Sequence, residues 1–230
     1  MKTIKLALAS ALLLLGGCAS NGDPRDPLEP LNRSIHAFNE TVDRVAMKPL
    51  AEAYRAVAPQ FVETGVRNVF SNLGDVGVLA NDLLQFKGAD AVSDFMRLAF
   101  NSTFGLFGLL DVASEMGLRK HEEDFGQTLG KWGVTDSPYL VLPFFGPSTF
   151  RDTVGLAVDN NYLDPLRRVD DMGIRNRSAF ARIVSRRADL LEAKAAVDAA
   201  ALDGYEFTRD IYLERRRAQV YDGRPPRSEE

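Results

Sequence analysis

A hydrolase must bring together a nucleophile, a positioned base and an oxyanion site, and this sequence supplies them poorly. Ser148 has the most suggestive setting, Gly146-Pro147-Ser148-Thr149-Phe150, yet the final glycine of a G-x-S-x-G nucleophile elbow is missing. There are two histidines. His36 lies among polar neighbours in a helical pattern, and His121 lies in Arg119-Lys120-His121-Glu122-Glu123-Asp124, a charge run that reads as solvated. Residues adjacent on a loop rarely converge on one ion, and neither H-E-x-x-H nor a cysteine pair is present. No catalytic residue, metal site or soluble cofactor is expected, and the chain does not read as an enzyme. Gly126, Gly130 and Gly133, spaced by four and three, fit neither G-x-G-x-x-G nor a P-loop; they read as a helix face small enough for a neighbouring backbone to approach.

The covalent chemistry that the residues do support is acylation. Lys2 and Lys5 precede an apolar run from Leu6 to Leu15, then Gly16-Gly17-Cys18, in the order of an export signal. Leu15-Gly16-Gly17-Cys18 resembles the bacterial lipobox, after which Cys18 carries diacylglycerol and acyl chains. It is the only cysteine, so no intrachain disulfide can form. At ~0.8 kcal/mol per buried methylene, more than one chain makes a stable anchor. Ala19 stands where aspartate marks inner-membrane retention in the lipoproteins this resembles, which points to the outer membrane, facing the periplasm. The formal net charge of −4 becomes −6 once Lys2 and Lys5 leave with the signal, an acidic balance that argues against nucleic acid.

Helical periodicity dominates the mature chain. The reading is a signal over residues 1–17, a lipidated N-terminus and linker over 18–27, one helical domain over 28–220 and a disordered tail over 221–230. Leu31, Ile35, Phe38, Val42 and Val45 form one stripe, and Pro49 and Pro59 bracket a short second helix. Phe61, Val62, Val66, Val69, Phe70 and Leu73 repeat a core-facing pattern that Gly74 should break. Val76–Phe86 and Ala89–Phe104 read as two more helices, Ile174–Leu202 as one long helix, and Tyr205–Val220 as a last one after Gly204. Only Tyr139–Leu142, between Pro138 and Pro143, looks extended.

Two apolar segments do not suit a dissolved bundle. Phe104, Leu106, Phe107, Leu109 and Leu110 cover more of a helix than one stripe would, and Leu140, Leu142, Phe144 and Phe145 stay apolar where prolines forbid a helix. Either they fill the core, or they lie in the interfacial plane of a bilayer, buried without spanning it. The segment Pro165–Arg187 holds seven arginines against Asp170 and Asp171. Arg182, Arg186 and Arg187 on it are candidates for contact with anionic lipid, the alternative being a solvated face paired to acids.

Seven strings carry a family likeness, in order over nearly the whole mature chain: DPLEPLNRSIHAFN, GVRNVFSNL, NDLLQFKG, FNSTFGLFGLLDVA, EDFGQTLGKWGV, PYLVLPFFGPSTFRD and YEFTRDIYLERR. Together they resemble the MlaA (VacJ) family of outer-membrane lipoproteins. The resemblance implies an all-α, doughnut-shaped domain sunk in the inner leaflet of the outer membrane, with little or no strand and an amphipathic channel. It implies phospholipid as cargo, a porin trimer and a soluble periplasmic lipid carrier as partners, and the upkeep of outer-membrane lipid asymmetry. In those terms the two apolar segments would face lipid or the porin. A lipid headgroup needs a wet route, because charge in hydrocarbon is costly; Asn101, Ser102, Thr103 and Asp111 are candidates for it, with helix caps the competing explanation. A porin-bound scaffold that moves no lipid and a lipid hydrolase are the alternatives.

Overall fold

Proline placement and polar caps set most of the helix ends. In the computed structural model, which describes residues 23–226, the first helix, α1, spans Glu29–Val42 with proline in its first turn. It does not stop before Pro49. A π-helical segment, Asp43–Met47, carries the chain into α2, Lys48–Val57, with the Lys48 amide bonding back to Asp43. That wider turn absorbs the donor a proline lacks. Ala58 is extended before Pro59, as the residue before a proline tends to be. The signal, Cys18 and residues 227–230 lie outside the described residues.

Gly74 does not break the next helix. α3 runs unbroken from Gln60 to Leu84, and α4, Gly88–Thr103, packs antiparallel against it after the turn at Phe86 and Lys87. A mid-helix glycine costs about 1 kcal/mol, less than the packing of a 25-residue helix supplies. The segment from Phe104 to Leu110 is not helical. Leu106 and Phe107 adopt left-handed backbone, as does Gly108. Such conformations persist only where surroundings over-determine them; here Phe107 N bonds Ser102 O at 3.1 Å, Gly108 N bonds Asn101 O at 2.8 Å, and Leu110 N bonds Gly105 O at 2.9 Å.

A one-turn helix α5 (Val112–Glu115) is capped by Asp111, and α6 (Phe125–Lys131) by Asp124. Gly133 does not line α6: it follows the helix, left-handed, as a C-terminal stop. The extended reading of Tyr139–Leu142 holds as β1, and β2, Gly146–Thr149, pairs with it antiparallel. β2 has no strand signal in its sequence; Pro147 is tolerated because the strand is an edge. Then come α7 (Phe150–Val158), a π segment (Asp159–Leu163), a 3-10 turn (Pro165–Arg168), α8 (Met172–Asp189), α9 (Leu191–Ala200) and α10 (Gly204–Val220). The expected single helix over Ile174–Leu202 is two, bent at Leu190. No proline or glycine marks the bend; ion pairs from both halves to the α1 region hold it, Arg187 to Asp43 and Lys194 to Glu40.

The ends of the domain are tied in. Asp26 is fully buried and accepts from Asn32 and from the Tyr205 hydroxyl, while Tyr139 N bonds Arg25 O at 2.8 Å. At the other end Asp222 pairs with Lys87 and Lys131.

α6 and α7 cross where neither carries a side chain: a methyl on Gly155 would lie 2.3 Å from the Gly126 amide nitrogen and 2.7 Å from its Cα. Gly155→Ala should therefore lower the melting temperature in detergent by about 5 °C or more, an overpacking cost of roughly 1–3 kcal/mol against backbone that cannot yield. Gly74→Ala, with nothing within 4 Å of its new methyl, should melt no lower than wild type. Circular dichroism melts of the two variants check both outcomes.

Candidate functional site

α3 and α4 are amphipathic, but largely inside out. On α3 the buried residues are Gly65, Asn72, Asp75, Val78, Asn81 and Asp82, and on α4 Ala91, Asp94, Arg97 and Asn101. Phe61, expected in the core, is 77% exposed, and Val62 is also exposed. The period is legible in the sequence and the face is not. Among the described residues no phenylalanine or isoleucine is buried, and Leu166 is the one buried leucine. A water-soluble domain buries those residues first.

Polar groups hold this interior together. Asn32 donates to Asp26 at 2.8 Å and to the Tyr139 carbonyl at 3.2 Å and accepts from Val141 N at 2.9 Å, joining α1 to the hairpin. Thr128 donates to Asn81 at 2.8 Å, and Asn81 donates to Asp159 at 3.2 Å. Burial raises the Asp159 pKa; hydrogen bonds from Phe125 N and Asn81 offset that only in part. His121 is not solvated as its charge run implies: its Nδ1 lies 2.8 Å from an oxygen of fully buried Asp94.

A cavity of about 960 Å³ opens between α1 with its π segment, the hairpin, α7 and the three C-terminal helices. Its lining is mixed. Leu142, Phe144, Phe145, Leu156, Ile183 and Val197 supply hydrocarbon, and Arg186, Arg187, Lys194 and Arg216 supply positive charge. Arg216 is the hub of one side. Its guanidinium reaches Asp124 at 2.6 and 2.9 Å and Asp152 at 2.8 and 3.0 Å, and Tyr212 donates to Asp152 at 2.8 Å. Burial alone would raise the Asp152 pKa; bonds and charge from Arg216, with Arg151, outweigh it and hold the carboxyl at about 2. Across the cavity Arg187 grips Asp43 bidentately at 2.6 and 2.8 Å.

The residues singled out in the sequence separate into groups. Phe104, Leu106 and Phe107 protrude from the left-handed loop, Phe107 at 85% exposure, with Leu109 and Leu110 also exposed. Phe144 and Phe145 are exposed at the hairpin tip, where they line the cavity mouth with half-buried Leu142; Leu140 is half-buried on β1. No described helix is long and apolar enough to cross a membrane. Asn101, Ser102, Thr103 and Asp111 are not among the cavity lining. Asn101 donates to Asp111 at 3.0 Å and accepts from Ala113 N at 2.9 Å, Ser102 accepts from Asn72 at 3.1 Å, Thr103 donates to Ala99 O at 2.7 Å, and Asp111 binds Arg97. Asn101, Ser102 and Asp111 bond to residues around the apolar loop, and Thr103 bonds within α4. Arg182 pairs with Asp164 at 2.5 Å and Arg187 with Asp43, while Arg186 has no ion pair among the described residues. Ser148 bonds Thr149 O and the Thr153 hydroxyl, with no histidine contact. No local signal marks the Arg216 hub, because its carboxylates lie 92 and 64 positions away.

Large apolar side chains outside, buried polar groups inside and a cavity of mixed lining define a predominantly helical protein that an ordinary water-soluble bundle does not resemble. The model of the MlaA lipoprotein family matches residues 24–219, and the chain belongs to that family. A Haemophilus influenzae relative, the intermembrane phospholipid transport system lipoprotein MlaA, is 31% identical over 245 residues, covering 100% of this chain and 94% of its own. An uncharacterized Rickettsia typhi protein is 35% identical over 153 residues, 66% of this chain; the match spans 61% of that relative's length. A solved structure described as the structural basis for maintenance of bacterial outer membrane lipid asymmetry superposes with a TM-score of 0.74 at 30% identity, covering 85% of this chain and 98% of that one. Its agreement extends to a predominantly helical fold with a minor hairpin.

Proposed function

We propose that this chain is an outer-membrane lipoprotein that takes phospholipid misplaced in the outer leaflet through its cavity to a periplasmic lipid carrier. Acyl chains on Cys18 would anchor it, and the loop Phe104–Leu110 with Phe144 and Phe145 would lie in the inner leaflet or against a porin trimer. The observation that carries this reading is the inverted burial: large apolar side chains face out, while the interior and part of the cavity are polar. A phospholipid has the same two characters. Leu156 and Ile183 offer surface to tails, and charged residues of the cavity keep a headgroup out of bare hydrocarbon. A passive cavity has no energy source, so net flux toward the periplasm would come from whatever removes lipid there.

A deletion strain should show phospholipid at its cell surface, accessible to an added phospholipase, and wild-type protein should restore the barrier. Leu156→Trp, which fills the cavity wall, should reach normal membrane levels and fail to restore it. Full restoration by the filled variant would refute passage through this cavity. Normal asymmetry in the deletion strain would favour the scaffold reading.

A further inference from the structure

Three of the four cations lining the cavity are already neutralised. Arg187 is held by Asp43, Lys194 by Glu40 and Asp198, and Arg216 by Asp124 and Asp152. Arg186 is the exception among the described residues. It sits in the last turn of α8, with Ile183 three residues before it and Leu190 four after, and all three line the cavity. That spacing puts them on one helix face. The face therefore reads apolar, cationic, apolar, opposite the aromatic hairpin tip of Phe144 and Phe145.

We propose that Arg186 is the phosphate-binding residue of the cavity, taking the phosphodiester of a phospholipid while Ile183 and Leu190 receive its tails. The proposal rests on the cavity being the lipid site. A guanidinium suits the role because its planar fork binds two phosphate oxygens at once. Its committed neighbours are unsuited, since an incoming anion would first have to displace a carboxylate. A plain helix-end arginine is the competing explanation, and it would bind no ligand.

The test uses the full-length lipoprotein in detergent, loaded with phosphatidylglycerol or with diacylglycerol, which carries the same tails and no phosphate. Bound lipid is counted by mass spectrometry. Wild type should prefer phosphatidylglycerol; Arg186→Gln should lose that preference by about tenfold, the scale of one charged hydrogen-bonding contact. Arg186→Glu should lose more, and diacylglycerol loading should not change. Arg186 is exposed, and unchanged melting of both variants excludes a folding effect. Retained preference in both variants overturns the proposal. If that happens while Leu156→Trp abolishes loading of both lipids, only the Arg186 assignment falls. If Leu156→Trp leaves both loadings intact, the cavity reading falls and takes the assignment with it. Glycerol 3-phosphate should compete only weakly with phosphatidylglycerol; competition at equal concentration would mean that a soluble phosphate is the ligand, and would also overturn the proposal.

Discussion

Arg216→Leu should destabilise the folded protein strongly, whereas Arg215→Leu, one residue away, should behave as wild type. The Arg215 pair with Glu122 is exposed on both sides, a class of contact worth about 0–1 kcal/mol. Arg216 and its partner Asp152 are buried, while Asp124 keeps part of its surface exposed. Removing one partner of a buried pair costs roughly 3–5 kcal/mol, because the remaining charges stay desolvated. That is a large part of the about 5–15 kcal/mol that holds an ordinary domain folded. Gly126 belongs to the same arrangement: a methyl there would meet Asp152 Oδ1 at 2.5 Å and Arg216 Nη2 at 2.8 Å. The melting temperature of Arg216→Leu in detergent at pH 7 should fall by about 10 °C or more. The gap to wild type should narrow in acid, since Asp152, ordinarily near 3.8 and held at about 2, loses its contribution as pH falls toward 2. A melt within 2 °C of wild type at pH 7 would refute the hub.

Asp82→Asn should have the opposite effect, stabilising the protein increasingly as pH rises. Asp82 and Asp94 are wholly buried where α3 and α4 pack. Neither Asp82 oxygen nor Asp94 Oδ1 has a hydrogen-bond partner when both carboxyls are ionised, so a proton shared between the two is the arrangement that satisfies them. Burial, then hydrogen bonding and repulsion from Asp94, with Glu123 and Asp90 adding charge, push the Asp82 pKa up from 3.8 to about 8. The nearby lysines are engaged elsewhere, Lys87 with Glu123 and Asp222 and Lys120 with Asp75, and His121 bonds the other oxygen of Asp94. A raised folded-state pKa gives stability that is fully present below the unfolded value and lost as pH climbs to the folded one. Wild type should thus weaken between about pH 4 and pH 8 through this group. Asparagine mimics the protonated form at every pH, so its advantage should be near zero at about pH 4 and reach about 5 °C or more at about pH 8. Superimposable pH profiles for variant and wild type would exclude the shared proton.

Much of the domain is legible in the sequence because its signals are local. The start of α3 follows from Pro59, the last helix from the pattern after Gly204, and β1 from two flanking prolines. The seven family strings, spread along the chain, point to the family whose model matches residues 24–219. Features that depend on a distant partner are not legible. Gly74 reads as the end of a helix that packing carries through, and the bend at Leu190 depends on carboxylates 144 and 154 positions before their partners. His121 reads as solvated because its neighbours in sequence are charged, yet its partner is buried Asp94, 27 positions before it.

The amino-acid sequence by itself determined where many of the helices lie and that the long ones have an apolar and a polar side, since prolines and a three-to-four spacing act within a few residues. Only the tertiary structure decided which side turns inward. A stripe of phenylalanine and leucine has the same spacing whether it meets a protein core or hydrocarbon outside, so the choice rests on what the opposite face can bond to. Here that face finds Asn32, Asn81, Asp152 and Arg216, each satisfied by residues far along the chain.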